Sequence, residues 1–205
     1  MHSVQGPRVD VVEQVARQSS RLATWHALRE ATLRLVAERG FAAVTVDDVA
    51  AAAGTSRRTF FNYFPTKAAA LFDPEPELAG RLQRLTEEAP VTDDAWTDLC
   101  WICASFVRWG PPDTLHVYRQ VAESGELSDY PVQVHRHLEE ALEAWAARRF
   151  PGDPLHARQL AATAGAALVA AFRTWDPATP AGEFVRLADR ALAAVTVRRP
   201  GTEGT

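Results

Sequence analysis

The sequence predicts an all-α protein of about nine helices, with an N-terminal helix-turn-helix followed by a larger helical body. Three observations lead to this fold class. Apolar residues recur at three- and four-residue steps along most of the chain. Ser, Thr and Asp precede these periodic segments, at the positions where helices are capped. Gly and Pro fall between the segments, where helices end.

The composition is that of a globular protein with an apolar core. Hydrophobic residues make up 47% of the 205 residues and charged residues 23%. No stretch is long and apolar enough to span a bilayer, and the N-terminus lacks the apolar segment of a secretory signal. Two cysteines do not make a disulfide framework. We therefore expect a cytoplasmic protein with no membrane partner.

Charge is distributed unevenly along the chain. The net charge is −4, yet residues 21–72 contain seven basic and four acidic residues. From residue 73 onward there are 13 basic and 20 acidic residues. A basic N-terminal part on an acidic body favours contact with phosphates through one face of the protein.

We divide the chain into four parts. Residues 1–20 have mixed polarity and are predicted to form an N-terminal arm, either a short helix or a frayed and disordered segment. We predict that residues 21–72 form a helix-turn-helix domain, residues 73–198 a helical body and residues 199–205 a disordered tail. The first periodic helix spans residues 21–39, and Gly40 follows it at the usual position for a helix end.

The stretch from Thr45 to Lys67 has the pattern of a helix-turn-helix. Thr45 is predicted to cap the second helix, with Asp48 completing a variant of the capping box. Gly54 permits the left-handed residue of the turn. Thr55 or Ser56 caps the third helix, which is short because Pro65 follows it.

Two further features of this stretch concern its core and its end. Phe60 and Phe64 are one turn apart and are predicted to point inward. Thr66 can cap the fourth helix, which places Lys67 in its first turn. A lysine there opposes the helix dipole, so we expect it to have another partner, such as a DNA phosphate.

The run GFAAVTVDDVAAAAGTSRRTFFNYFPTKAAALF resembles the TetR family of bacterial transcriptional repressors. The similarity extends over roughly fifty residues, from Leu28 to Phe72, and retains the family's frame of Gly, Thr, Asp, Ser and aromatic positions. The resemblance implies an all-α homodimer of about nine helices. Its first three helices and the start of the fourth would bind a double-stranded DNA operator, and the remaining helices would bind a small-molecule effector and form the dimer.

The resemblance assigns DNA-binding roles to nine positions. Base edges would be contacted by Arg57, Arg58, Phe61 and Asn62. Backbone phosphates would be held by Thr45, Ser56, Thr59, Tyr63 and Lys67. For Thr45 and Ser56, helix capping is an alternative role that can coexist with phosphate binding. For Phe61, partial burial against the first helix is as plausible as a DNA contact.

The helices of the body are predicted from the spacing of its apolar residues. Pro74 and Pro76 are predicted to bend the fourth helix, which continues over residues 77–88 and links the DNA-binding part to the body. A further helix is predicted to run to residue 109 after a cap at Thr92 or Asp93, and the next to run to residue 123 after a cap at Asp113. Three more are predicted over residues 128–150, 154–175 and 180–197. The helix at 154–175 contains the small-residue run AATAGAALVAA. With the family as guide, we assign the last two helices, residues 154–197, to the homodimer interface.

Six aromatic residues of the body are candidates for an effector site, although core packing is the alternative for each. An apolar or aromatic ligand is favoured, since few buried charges are evident. The candidate lining residues are Trp101, Phe106, Trp109, His116, Tyr118 and Trp145.

Three other constellations are candidate chemical sites. Cys100 and Cys103 form a C-x-x-C motif, which indicates two small buried residues or a redox site. Asp93, Asp94 and Asp98 are similar to a magnesium-binding motif but lie at a helix start, where acids are common. The pair His135 and His137 favours a solvated helix face over a metal site. No catalytic residue, metal or cofactor is predicted.

Together these observations favour a homodimeric repressor that binds a palindromic operator and is released by a small ligand. Two alternatives remain. One is a small helical enzyme that uses the acidic or C-x-x-C site of the body. The other is a DNA-binding regulator that needs no ligand.

Overall fold

The computed structural model describes residues 8–109, 112–124 and 130–197. Residues 1–7 of the predicted arm and the whole predicted tail, residues 199–205, lie outside these ranges. Asp113 and His135 are described in their backbone only. Within them every regular element is a helix, which confirms the predicted all-α class. The helix bounds are α1 Arg8–Arg39, α2 Val46–Ala52, α3 Arg57–Tyr63, α4 Lys67–Phe72, α5 Leu78–Glu88, α6 Ala95–Trp109, α7 Pro112–Ser124, α8 Tyr130–Arg149, α9 Pro154–Thr174 and α10 Ala181–Ala193.

The chain divides into two compact units, residues 1–76 and residues 77–205. The first unit contains α1 to α4 and the second contains α5 to α10. None of the described helices is long and apolar enough to cross a membrane.

The count of ten helices differs from the predicted nine because the fourth predicted helix is two separate helices. α4 ends at Phe72, with Asp73 as its C-cap in an extended conformation. Pro74 and Pro76 follow, and each disfavours helix at the residue before it and lacks a backbone donor. α5 then begins at Leu78, so the prolines interrupt the helix rather than bend it.

The first helix also begins earlier than the periodicity predicts. α1 has 32 residues and starts at Arg8, so residues 8–20 are its first turns rather than a separate arm. No Gly or Pro lies between Arg8 and Arg39 to stop it. Among the α1 side chains that the structure describes, the first buried one is Trp25, and residues 16–21 are exposed. At 1.5 Å per residue the helix is about 48 Å long.

The core of the first unit comes from the apolar stripe of α1 and from the aromatic residues of α3. Phe60 and Phe64 are fully buried, which confirms that they point inward. The ring of Phe64 lies 5.5 Å from that of Trp25 on α1. Leu28 and Leu71 are fully buried as well. These contacts fix α3 against α1 and so determine which face of α3 remains exposed.

The core of the second unit lies among α6, α8, α9 and α10. It includes fully buried Leu99, Leu142 and Trp175. α8 and α9 approach each other closely, because a Cβ on Gly165 would lie only 2.7 Å from Oε1 of Glu139. Part of the small-residue run of α9 therefore serves packing within one chain.

Several boundaries in this unit differ from the predicted ones, most of them by one residue. α6 begins at Ala95, and Asp94 rather than Thr92 or Asp93 accepts a bond from the helix start, from the Trp96 backbone nitrogen at 3.1 Å. α8 begins at Tyr130 rather than near residue 128. α10 ends at Ala193, four residues short of the predicted end. The difference at the end of α10 exceeds the one or two residues by which helix ends usually vary.

Candidate nucleic-acid interface

The start of α2 is held by a reciprocal cap. The Oγ1 atom of Thr45 accepts a hydrogen bond from the backbone nitrogen of Asp48 at 3.1 Å. The carboxylate of Asp48 accepts in return from the backbone nitrogen of Thr45 at 2.9 Å and from its hydroxyl at 2.5 Å. These bonds, aided by Arg39, lower the pKa of Asp48. The variant capping box predicted from the sequence is thus confirmed.

The turn between α2 and α3 depends on one glycine. Gly54 has a φ of 65°, in the left-handed region that favours glycine. The chain then reverses so that the backbone nitrogen of Thr55 donates to the carbonyl oxygen of Ala50 at 2.8 Å. This turn sets the start of α3 beside the start of α2.

Ser56 caps α3, which resolves the choice between Thr55 and Ser56. Its Oγ accepts from the backbone nitrogen of Thr59 at 3.0 Å and lies 2.9 Å from the Thr59 hydroxyl. Ser56 is exposed and Thr59 is half-buried. Both hydroxyls, predicted to hold phosphates, therefore have capping partners within the protein.

The four predicted base-contacting residues lie on one exposed face of α3. Arg57, Arg58, Phe61 and Asn62 are all exposed, whereas the opposite face is buried in the core. The side chain of Phe61 is 45% exposed, which favours a surface role over burial against the first helix. The α3 surface therefore presents two guanidinium groups, one amide and one aromatic ring to solvent.

Arg57 is held by two contacts that the sequence does not predict. Its Nη1 donates to Oδ2 of Asp47 at 2.8 Å, across the turn from α3 to α2. Its guanidinium carbon also lies 5.3 Å from the ring centre of Phe61, one turn along α3. The sequence pattern explains Asp47 only as a helix-start acid, and no sequence signal indicates a partner ten residues away.

Two of the predicted phosphate-binding residues have partners outside their own helices. Tyr63 is half-buried, and the guanidinium of Arg21 on α1 lies 6.0 Å from the centre of its ring. Lys67 donates from Nζ to the carbonyl oxygen of Val44 at 2.6 Å and to that of Phe41. Lys67 thus holds the loop between α1 and α2, a role that the sequence does not predict.

The six candidate effector residues do not share one environment. Trp145 is buried in the core of the second unit. Phe106 and Tyr118 are half-buried and pack against this core. Trp101 is 37% exposed and lies on the outer face of α6. Trp109 is 43% exposed, with the guanidinium of Arg81 3.4 Å from its ring centre.

His116 is the sixth candidate and contacts the segment after α9. Its Nδ1 lies 3.0 Å from the carbonyl oxygen of Pro177, and its ring centre lies 4.7 Å from that of Trp175. Arg119, one turn along α7, donates to the carbonyl oxygens of Trp175 and Arg173. This part of α7 satisfies backbone carbonyls at the end of α9.

The acidic motif of the body has a structural explanation. Asp98 is fully buried and accepts bonds from the backbone nitrogen and hydroxyl of Thr92, the latter at 2.7 Å. Arg149 of α8 lies 3.9 Å from the same carboxylate. Asp94 accepts from the Thr97 hydroxyl and the Trp96 backbone. These carboxylates fix the start of α6, which does not favour the magnesium interpretation.

The two cysteines and His137 likewise lack the surroundings of a reactive site, and the side chain of His135 is not among those that the structure describes. Burial raises the pKa of Cys100 to about 11 and that of the fully buried Cys103 to about 12, which disfavours the reactive thiolate. Nδ1 of His137 lies 3.5 Å from a carboxylate oxygen of Glu140 on the same helix. No group of three or more metal-ligating side chains occurs among the residues that the structure describes.

Comparison with known proteins bears on the first unit in particular. Residues 28–73 match the family model described as bacterial regulatory proteins of the tetR family. The matched segment runs from the middle of α1 through α2 and α3 to the end of α4, and so includes the whole α3 surface. MftR of Mycobacterium tuberculosis, a regulator assigned to mycofactocin biosynthesis, is 27% identical over 135 residues, which are 64% of this chain and 68% of MftR.

Solved structures show the same fold over most of the chain. A protein of Mesorhizobium loti assigned to the TetR family of transcriptional regulators has a TM-score of 0.53 at 16% identity, covering 83% of this chain and 94% of its own. FadR of Thermus thermophilus, a TetR family transcriptional repressor in complex with lauroyl-CoA, has a TM-score of 0.51 at 19% identity. That match covers 88% of this chain and 100% of FadR.

Proposed function

We propose that the chain is a homodimeric repressor of the TetR family that binds a palindromic DNA operator, because residues 28–73, which include the α3 surface, match the model of that family. A small ligand bound by the second unit would release it from the operator. The single observation that carries the proposal is the α3 surface, where Arg57, Arg58, Phe61 and Asn62 share one exposed face.

In this proposal α3 enters the major groove and its exposed side chains contact base edges. Arg57 and Arg58 can each donate two bonds to O6 and N7 of a guanine. Asn62 can pair with adenine, and the ring of Phe61 can pack on a thymine methyl group. These four side chains would therefore determine the sequence of each operator half-site.

Residues at the rim of the α3 surface would hold the DNA backbone. Thr45, Ser56 and Thr59 lie at the starts of α2 and α3, where backbone N–H groups and the helix dipole favour an anion. Tyr63 and Lys67 lie beyond the end of the same surface. Phosphate contacts of this kind fix the position of the protein on the duplex without selecting a sequence.

The outward face of α9 supports dimerisation through the last two helices. Ala162, Ala166 and Ala170 are exposed at four-residue spacing, whereas the opposite face of α9 packs within the chain. Small side chains on one stripe allow a second helix to approach closely. Pairing of α9 and α10 with their twofold mates would give the two α3 helices that a palindrome requires, about 34–36 Å apart.

We further propose that the effector is apolar or aromatic and binds in the second unit. Half-buried aromatic side chains, among them Phe106 and Tyr118, provide a surface of that chemistry. The lauroyl-CoA bound in the Thermus FadR structure has a long apolar chain. The ligand would act by favouring one conformation of the dimer that no longer matches the two half-sites.

The alternative of an enzyme in the body has less support. Its two candidate sites are the buried Asp98 and the Cys100–Cys103 pair, and the contacts of both are those of structural residues. A regulator that needs no ligand remains the second candidate, favoured by the dispersed environments of the six proposed effector residues. Lauroyl-CoA can be added to the operator complex to compare these two candidates. Release of the DNA would support the ligand-released repressor over the regulator that needs no ligand.

A gel-shift assay tests the proposal directly. The full-length protein is mixed with DNA that flanks its own gene, in the presence of excess random-sequence competitor. We expect a specific complex whose affinity falls steeply as salt is raised, because counterions are released from the phosphates. Equal affinity for flanking and random DNA would contradict the proposal.

A further inference from the structure

α2 begins with two neighbouring carboxylates that have different partners. Asp48 accepts the bonds of the capping box from Thr45. Asp47 instead lies 2.8 Å, from Oδ2 to Nη1, from Arg57 on the next helix. The helix dipole explains an acid at this position. It does not explain why Asp47 contacts the first residue of α3.

The guanidinium of Arg57 is restrained from two sides. Asp47 holds Nη1, and the Phe61 ring lies 5.3 Å from the guanidinium carbon. All three side chains are exposed and belong to the α3 surface or its border. An unrestrained arginine has many rotamers and must lose that freedom when it binds a base. Arg57 therefore has both contacts in the DNA-free chain, and each reduces the number of rotamers open to it.

We propose that Asp47 is a positioning residue for DNA recognition, which holds Arg57 so that its remaining N–H groups face a guanine. This inference rests on the proposed function, in which α3 lies in the major groove. A guanidinium has five N–H donors in a fixed planar fork. One donor bound to Asp47 leaves a pair of donors for O6 and N7 of the base.

The charge of Asp47 gives the inference a distinctive signature. A carboxylate on a surface that approaches phosphates lowers the affinity for every DNA sequence alike. If Asp47 also orients Arg57, its removal raises affinity for non-operator DNA and lowers discrimination at one base pair. A residue that only stabilises the start of α2 would not produce these opposite changes.

The test is in vitro selection from a library of randomised duplex DNA with the full-length protein. We compare wild type with Asp47→Ala, Arg57→Ala and the double variant. Arg57→Ala should lose a guanine preference at one base pair per half-site, by roughly 5- to 150-fold. Asp47→Ala should weaken the preference at that same pair by about 2- to 10-fold, the effect of ordering one arginine side chain on binding.

Two further variants separate positioning from charge and from folding. Asp47→Asn keeps an oxygen acceptor and should retain part of the guanine preference. Glu38→Gln removes one negative charge from α1, where Glu38 is exposed and lies 3.6 Å from Arg34, and should leave the selected sequence unchanged. As a check on folding, circular dichroism should show the same helix content in each variant as in the wild type.

The outcomes are distinguishable. In the Arg57→Ala background, Asp47→Ala should cause no further loss at the base pair that Arg57 reads. Additive losses in the double variant, or an unchanged preference in Asp47→Ala, would overturn the positioning role while leaving the DNA-binding function intact. Failure of the wild type to select any sequence would instead overturn the proposed function and this inference with it.

Discussion

The Nζ atom of Lys67 lies 2.6 Å from the backbone carbonyl oxygen of Val44 and also donates to that of Phe41. It thereby ties the first turn of α4 to the loop between α1 and α2. A lysine in the first turn of a helix opposes the helix dipole. Two carbonyl acceptors and the nearby ring of Phe41 offset that unfavourable placement.

The first prediction follows from these bonds. Lys67→Met should destabilise the N-terminal unit by about 1.5–3 kcal/mol, the range for a lost hydrogen bond to a charged group. Hydrogen exchange of the α4 amides measures this change as a lower free energy of opening. Arg58→Ala is the control, since Arg58 is exposed and its removal should alter opening by no more than about 0.5 kcal/mol. An equal free energy of opening of the α4 amides in Lys67→Met and Arg58→Ala would refute the structural role of Lys67.

The second prediction concerns pH. Hydrogen bonds from Thr45 lower the pKa of Asp48 in the folded state. The ionised carboxylate therefore stabilises the fold fully at pH values above its ordinary pKa of 3.8. That contribution is lost as pH falls through the folded pKa. The stability difference between wild type and Asp48→Asn should therefore be present at pH 7 and shrink below about pH 4.

NMR titration of the Asp48 carboxyl group provides the direct check. Thr45→Ala removes the hydroxyl and should raise the pKa of Asp48 toward its ordinary value, whereas Thr45→Ser keeps the hydroxyl and should preserve the lowered pKa. If Asp48 titrates at its ordinary value with Thr45 in place, the capping account is incorrect.

Local signals allowed much of the first unit to be predicted. Caps such as Thr45, turn glycines such as Gly54, and the one-turn spacing of Phe60 and Phe64 depend on neighbours within a few residues. The pairing of Asp47 with Arg57 could not be predicted, because it depends on the angle at which two helices cross. The same reason applies to Lys67, whose acceptors lie more than twenty residues away along the chain.

The periodicity of apolar residues predicts helix bounds and buried faces less well where few residues of a helix pack against the core. The four valines in the first turns of α1 are compatible with a short helix or with a frayed arm, so periodicity alone does not place the helix start at Arg8. In the body, a tryptophan on an apolar helix suggested burial, yet Trp101 lies on the outer face of α6. Composition alone does not show which face of such a helix its neighbours cover.

The third prediction concerns the cysteines. With pKa values of about 11 and about 12, Cys100 and Cys103 are protonated thiols at neutral pH. At pH 8 the folded protein should react with a thiol reagent roughly 100-fold more slowly than the chain unfolded in urea, with Cys100 ahead of the fully buried Cys103. A rapid reaction of either thiol in the folded protein would revive the redox alternative.

The fourth prediction tests the dimer. If the proposed dimer forms through α9, Ala166→Arg places a long charged side chain on its exposed stripe and should give monomers in analytical ultracentrifugation, where the wild type is a dimer. Operator affinity should fall with it, since one half-site is then bound at a time. The matched control is Ala147→Arg on the exposed surface of α8, which should remain dimeric. A dimer unaffected by Ala166→Arg would place the interface elsewhere.

The central claim is that the exposed face of α3 reads an operator sequence. Its most direct test is the affinity of Arg58→Ala for the operator and for a scrambled duplex, compared with wild type at the same salt concentration. The account predicts that operator binding weakens by about 1–3 kcal/mol while scrambled DNA is bound nearly as before. Operator binding equal to that of wild type would contradict it.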